Sequence, residues 1–350
     1  MGRIEYRDFD GDGESLSALA HTAWTAAYGE ETWYDLFRPE LLQHLHAEVP
    51  DPRFLVAGYD GGKLVAFIAN LPRRYRLNGK SYLGVVATQL TVHPDYLGAG
   101  VYLIAECLRR NADLGADFVL MQFDKTGSAW RIFDYLQSGY RIEALRTMIM
   151  IARPVDLERI VQSQHLSRYE AAAIKLLGGH RPIDAPPVSG QTRSYRDTDL
   201  AAILGLIDGY SDLDRPVRVF NEETLARRLH TPGITSTVVY ERKGAVAGLV
   251  NYTLHEMVSP KDRTRWAWLD FVFWEELGAG EKKALLGALW QTAREQGCIG
   301  LMEWNRGYYS PWPLFRSRFV PYPRFVQVSA WVFNPDLSFR NVDCLIEQIV

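Results

Sequence analysis

Apolar positions along this 350-residue chain follow two different periods. Runs rich in β-branched and aromatic residues at 3–7, 53–59, 63–75 and 82–92 read as strands. Asp60-Gly61-Gly62 and Asn78-Gly79 separate the last three of these, which predicts tight reversals and an antiparallel meander. Apolar residues at helical spacing mark 14–28, 101–114 and 128–136, and a further helix starts near Pro39. Strands at 118–123 and 140–151 complete this half. The predicted order is strand, two helices, three strands, helix, strand, helix, strand.

The same order then returns. Tyr6-Arg7-Asp8, ahead of the first helix, reappears as Tyr195-Arg196-Asp197. Residues 54–70, FLVAGYDGGKLVAFIAN, match residues 235–251, TSTVVYERKGAVAGLVN, with Tyr59 over Tyr240 and Asn70 over Asn251. Leu97-Gly98-Ala99-Gly100 reappears as Leu277-Gly278-Ala279-Gly280, each time after a strand and before a helix. The next strands, FVLMQF and IGLMEW, also correspond. An ordered set of matches marks a duplicated unit. Residues 154–179 are helical in pattern, and 180–190 carry Pro182, Pro186, Pro187 and Gly190. The expected division is therefore 1–153 and 191–350, joined by a helical bridge and linker over 154–190.

This succession, with VHPDYLGAGV (92–101) at its centre, resembles the GNAT superfamily of N-acetyltransferase-like proteins. The loop of that family carries Arg or Gln, two residues, Gly, one residue, then Gly or Ala. Here those positions are Leu97, Gly100 and Tyr102, so the glycine agrees and the outer positions depart. A second family signature, two aromatics five apart with Gly before the second, fits Tyr135 and Gly139-Tyr140. Within the superfamily, Leu90-Thr91-Val92-His93 and the doubled unit are most similar to protein N-myristoyltransferases. The resemblance implies an α/β (α+β) fold of two tandem GNAT-like domains, each a mixed, mostly antiparallel twisted sheet flanked by helices.

An acyl-coenzyme A presents a pyrophosphate, a peptide-like pantetheine arm and a thioester. Gly98-Ala99-Gly100 suits the first, because glycine lets backbone approach phosphate and the helix that follows aims free N–H groups at it. Taken alone, LGAG reads first as a strand-to-helix connection with nothing bound; the surrounding element order tips the balance to the coenzyme. The resemblance implies that Gln89, Leu90, Thr91 and Val92 offer the strand edge that pairs with pantetheine, and that the Leu90 amide faces the thioester oxygen. It likewise implies that Leu97, Gly98, Ala99, Gly100, Val101 and Tyr102 hold the phosphate end. Tyr135 would protonate the departing thiolate; its other reading is a core tyrosine on a short helix. Acetyl-CoA or a longer acyl-CoA is then the donor, and the chemistry needs no metal. Where many relatives place a glutamate as base, this chain has Gln89; His93 is the nearest titratable side chain, read otherwise as a turn histidine, and the likeness to N-myristoyltransferases implies the C-terminal carboxylate of Val350 as another candidate.

Charge and composition narrow the partners. A net charge of −3 lacks the basic field that nucleic acid demands. The polar start of the chain and the lack of long apolar runs fit neither a signal peptide nor a membrane span, so a cytoplasmic protein is expected. Cys107, Cys298 and Cys344 have no metal-ligand spacing, and the first two fall in apolar surroundings that suit inert thiols. Glu275, Glu276 and Glu281 surround the second LGAG, which assigns the coenzyme to the first unit unless Lys282 and Lys283 turn inward. Trp304, Tyr308, Tyr309, Trp312, Phe315, Phe319 and Tyr322 form an aromatic stretch broken by prolines, read either as the lining of an acceptor cleft or as core beneath an irregular connection. A second cluster, Trp24, Tyr28, Trp33, Tyr34 and Phe37, lies at the first helices and also favours a bulky or apolar substrate. The leading reading is transfer of an acyl group to an amine or hydroxyl of a small molecule or peptide. A transferase fed by aminoacyl-tRNA, opposed by the acidic charge, and a binding module with a degenerate coenzyme site are the alternatives.

Overall fold

Two left-handed dipeptides build the first meander. The structure, a computed structural model, describes residues 4–28, 34–124, 141–163, 166–209, 217–258 and 262–339. Gly61 and Gly62 (φ +56° and +88°) join β3 (Leu55–Asp60) to β4 (Lys63–Leu77), and Asn78 and Gly79 (φ +50° and +72°) join β4 to β5 (Lys80–Val92). Positive φ at both central residues gives the turn twist that matches the strands, and Gly and Asn adopt it at least cost. Ahead of the meander run β1 (Glu5–Asp8), α1 (Gly13–Tyr28), β2 (Tyr34–Leu36) and α2 (Pro39–His46). After it come α3 (Ala99–Asp113), β6 (Phe118–Asp124) and β7 (Arg141–Pro154).

Strand alternation covers both faces of this sheet. Phe67 and Ala69 pack with Leu16, Leu19 and Leu42 from α1 and α2, while Ala66 and Ile68 pack with Leu103, Ile104 and Leu108 from α3. Cys107 on α3 is buried, its Sγ is 2.8 Å from Asn70 Oδ1, and burial pushes its thiol up to about 12, as suits an inert cysteine. Asn70 also donates to the Phe54 carbonyl at 2.7 Å, and Asn251 donates to the Arg228 carbonyl at 3.0 Å. The repeated asparagine therefore braces a buried strand in each half.

The second half begins with α4 (Leu157–Gln162) and α5 (Arg168–Leu176), where helical pattern is expected. It continues through β8 (Gln191–Ser194), α6 (Leu200–Asp208), β9 (Val217–Val219), α7 (Glu222–Leu229), β10 (Thr235–Arg242), β11 (Ala245–Val258) and β12 (Arg263–Phe273). Then follow α8 (Ala279–Glu295), β13 (Cys298–Trp304), α9 (Trp312–Arg316) and β14 (Val320–Val332). The helix expected at 128–136, with Tyr135, and the tail carrying Cys344 and Val350 lie outside the described residues.

Strand pairing crosses the expected division of the chain. The sheet runs β1-β3-β4-β5-β6-β14-β7-β13-β12-β11-β10-β8, with β2 paired to β11 and β9 to β4. The last strand, β14, is thus inserted between β6 and β7, and β7 in turn pairs with β13. Each half completes its sheet with a strand from the other. Pro321 lies on β14, whose pairing with β7 shifts between Tyr322 and Phe325, an irregularity that tolerates a missing N–H.

Buried charge also joins the halves. Glu48, just after α2, has a side chain 4% exposed; it lies 2.5 Å from Arg228 and 2.8 Å from Arg218, with Arg227 at 3.6 Å and Arg73 at 4.0 Å. Arg73 belongs to the first half and the other three to the second. One carboxylate therefore ties four guanidiniums across the seam.

Of the two readings of the aromatic stretch after β13, the structure supports core for most of its rings. Trp304, Tyr308, Tyr309 and Phe319 are buried, so these rings are core and line no open cleft. Phe315 and Tyr322 are half-buried, and Trp312 is 66% exposed. Phe37 is buried and packs edge-on against Trp24 at 5.3 Å, again as core.

Candidate functional site

A gap opens in the first half where two parallel strands part. β5 and β6 pair only from Gly84↔Phe118 to Ala87↔Met121. Beyond that point β5 continues to Val92, while β6 stays with β14 on its far side. Residues 89–92 therefore keep one edge without a strand partner among the described residues. A bulge bends β5 here: Thr91 faces Phe67 and Thr88 faces Ala69, so Gln89 and Leu90 together oppose Ile68 alone. Gln89 takes a φ of +59°, a strained choice for a non-glycine residue.

The residues predicted from sequence gather around this gap. Leu90 and Val92 are half-buried against the α3 face, and Thr91 is buried with its hydroxyl donating to the Gln89 carbonyl at 3.0 Å. The chain turns through residues 93–98 and enters α3 at Ala99. Ala99 and Gly100 are buried, the Tyr6 hydroxyl donates to the Ala99 carbonyl at 3.1 Å, and Val101 is half-buried. Gly98 faces open space. Leu97 and Tyr102 stand 71% and 69% exposed on either side of the helix start, where the Gly100 N–H donates to the Leu97 carbonyl at 3.3 Å. His93 is a turn residue: its Nδ1 accepts from the Asp95 N–H at 3.3 Å. That bond occupies the lone pair a base would use.

One participant was not legible beforehand. His46, at the end of α2, brings its Nε2 to 2.9 Å from Gln89 Oε1. Its ring stands edge-on to Phe9 at 6.3 Å and lies 5.7 Å from Phe67. Burial lowers its pKa below the ordinary imidazole value, and the bond to Gln89 offsets this only in part.

In the second half the equivalent gap is filled. β12 and β13 pair in parallel as far as Trp268↔Met302 and then separate. Arg306, 2% exposed, reaches into the opening, donates to the carbonyls of Leu269 (3.0 Å) and Asp270, and pairs with Glu303 at 2.8 Å. The Tyr308 hydroxyl accepts from the Val272 N–H at 2.9 Å. These are the edge groups a strand-like ligand would need. At the second LGAG, Glu281 accepts from the Gly278 N–H at 2.8 Å, and Pro186 of the linker lies 3.2 Å from where a Cβ on Gly280 would be. Ala279 and Gly280 of this loop line a cavity of about 920 Å³ together with Lys282, Lys283, Arg316 and Trp312.

A mixed sheet with a bulged, splayed parallel pair, repeated once and sealed by exchanged strands, is the tandem GNAT fold. Saccharomyces cerevisiae N-myristoyltransferase with bound myristoyl-CoA superposes on 95% of this chain and 83% of its own, at a TM-score of 0.73 and 14% identity. The same enzyme with myristoyl-CoA and inhibitors covers 100% of this chain and 87% of its own, at 0.73 and 13%. A GCN5-related N-acetyltransferase from Kribbella flavida covers 95% and 71%, at 0.54 and 14%. No protein-family model matches the chain, and no curated protein sequence does.

Proposed function

We propose that this chain transfers an acyl group from an acyl-coenzyme A, acetyl or longer, to the amine or hydroxyl of a small molecule or peptide. The observation that carries this reading is the edge of β5 at residues 89–92, which has no strand partner among the described residues and leads within ten residues to the N-terminus of α3. Backbone groups of Gln89 to Val92 pair with the pantetheine amides as a strand would. Gly98, Ala99 and Gly100 hold the pyrophosphate at the helix start. The Leu90 N–H donates to the thioester oxygen, and Leu97 and Tyr102 cover the nucleotide end with apolar surface. Tyr135 is assigned, by likeness to the GNAT family, as the proton donor to the departing thiolate.

Calorimetric titration with acetyl-CoA, myristoyl-CoA and free coenzyme A tests the reading. One molecule should bind per chain, because Arg306 and Tyr308 occupy the second gap. Two molecules per chain would refute that division. No binding of any of the three would leave a coenzyme-free module, the reading favoured by the departures at Leu97 and Tyr102. In the active protein, Tyr135→Phe should lower turnover about a hundredfold while coenzyme affinity stays within a factor of two, as expected for a general acid used in the transition state. Unchanged turnover would reduce Tyr135 to a packing residue.

A further inference from the structure

The Gln89 side chain is held at one end and left without a partner at the other. The residue is 4% exposed, and its Nε2 has no hydrogen-bond partner among the described residues. Buried amide donors are almost always satisfied, and leaving one orphaned destabilises the fold unless something else binds there. The backbone at this point is also strained, at φ +59°. A merely structural position would be better served by glycine or by a side chain without donors.

His46 meets the oxygen end of the amide. Its Nε2 faces Gln89 Oε1 at 2.9 Å, so the neutral ring carries its proton on Nε2 and donates it to that oxygen. Phe9 and Phe67 hold the ring in place. The two N–H bonds of the Gln89 carboxamide are thereby left to serve another acceptor. Leu90, the next residue, lies on the unpaired edge of β5.

We propose that Gln89 Nε2 is a side-chain hydrogen-bond donor to the carbonyl oxygen of the bound thioester, and that His46 is the positioning residue that orients it. This rests on the acyl-coenzyme A reading given above. When an acceptor amine bonds to the carbonyl carbon, the π pair moves onto the oxygen, where Gln89 meets the developing charge. As the pair returns, the C–S bond breaks with its electrons passing to sulfur. The sulfur gains a proton and the amine nitrogen loses one.

Calorimetry on the full chain with acetyl-CoA and with S-ethyl-coenzyme A, a thioether lacking the carbonyl oxygen, isolates this contact. Gln89→Leu should weaken acetyl-CoA about five- to tenfold, the worth of one neutral hydrogen bond, and leave the thioether unchanged. His46→Phe keeps an aromatic ring against Phe9 and Phe67; it should give a smaller loss, again confined to acetyl-CoA. That second variant carries the test if Gln89→Leu does not fold. Equal weakening of both ligands, or of neither, overturns the proposal while leaving coenzyme binding intact. Failure of the wild-type chain to bind either ligand overturns the coenzyme reading and this inference together.

Discussion

Glutamate in place of Gly98 should remove coenzyme binding without unfolding the protein. Gly98 is the N-cap of α3, its φ and ψ of −63° and −22° are open to any residue, and a Cβ there meets nothing within 4 Å. A carboxylate at a helix start also agrees with the sign of the dipole. Against a phosphate about 4–5 Å away, one like charge at an effective dielectric of about 20 costs roughly 3–4 kcal/mol, a several-hundredfold loss of affinity. Gly98→Ser, which adds no charge, should bind within a few-fold of wild type. Titration calorimetry checks both, with thermal unfolding as the control for folding. If the glutamate variant bound coenzyme as tightly as the serine variant, the α3 terminus would not be the phosphate site.

The largest effect on stability is expected at the seam. Glu48→Gln keeps the shape of the side chain but removes the carboxylate that buried Arg73, Arg218 and Arg228 share. Breaking a buried ion pair by removing one partner costs about 3–5 kcal/mol, and here a single partner serves several. Burial alone would raise the Glu48 carboxyl pKa; the guanidiniums of Arg228, Arg218 and Arg73 outweigh it and hold the group far below the ordinary carboxylate range. A carboxyl depressed in this way contributes stability that is fully present above its unfolded value of about 4.3 and is lost as pH falls below it. Urea unfolding of wild type and variant should therefore differ most near neutral pH and converge in acid. A gap independent of pH would mean that the carboxylate charge is not what holds the arginines. His44, also buried, has its pKa pushed down to about 4, first by burial and then by Arg228, so it adds no further cation at neutral pH.

Most of the local structure was legible because turn chemistry is local. Asn78-Gly79 and Gly61-Gly62 announce their own geometry, and the strands on either side follow. The repeat was legible too, although the match of Tyr59 to Tyr240 slips at the hairpin: the turns are Gly61-Gly62 and Lys243-Gly244, one residue out of step. The strand exchange was not. β7 reads as an ordinary strand but no strand is read at β14, and the choice of partner is made between segments nearly 180 residues apart. Prolines 321 and 323 argued against a strand where an irregular one exists. At the site, the glycine loop was visible and His46 was not, since no spacing in the sequence connects the end of α2 to the bulge on β5. Arg306 is similar. An arginine three residues from a glutamate is usually a surface pair, and only the parted strands reveal that it closes a gap.

Exchanged strands also set a schedule for synthesis. A ribosome releases the first half long before residues 320–332 exist, yet β6 and β7 need that segment between them. Until then the nascent chain carries two open β edges, the surfaces most prone to pair with a neighbouring polypeptide. Contacts this distant in sequence form slowly, so the chain is expected to depend on holding chaperones during translation. A fragment ending near residue 190 should accumulate in inclusion bodies, and supplying the second half as a separate chain in the same cell should bring it into solution.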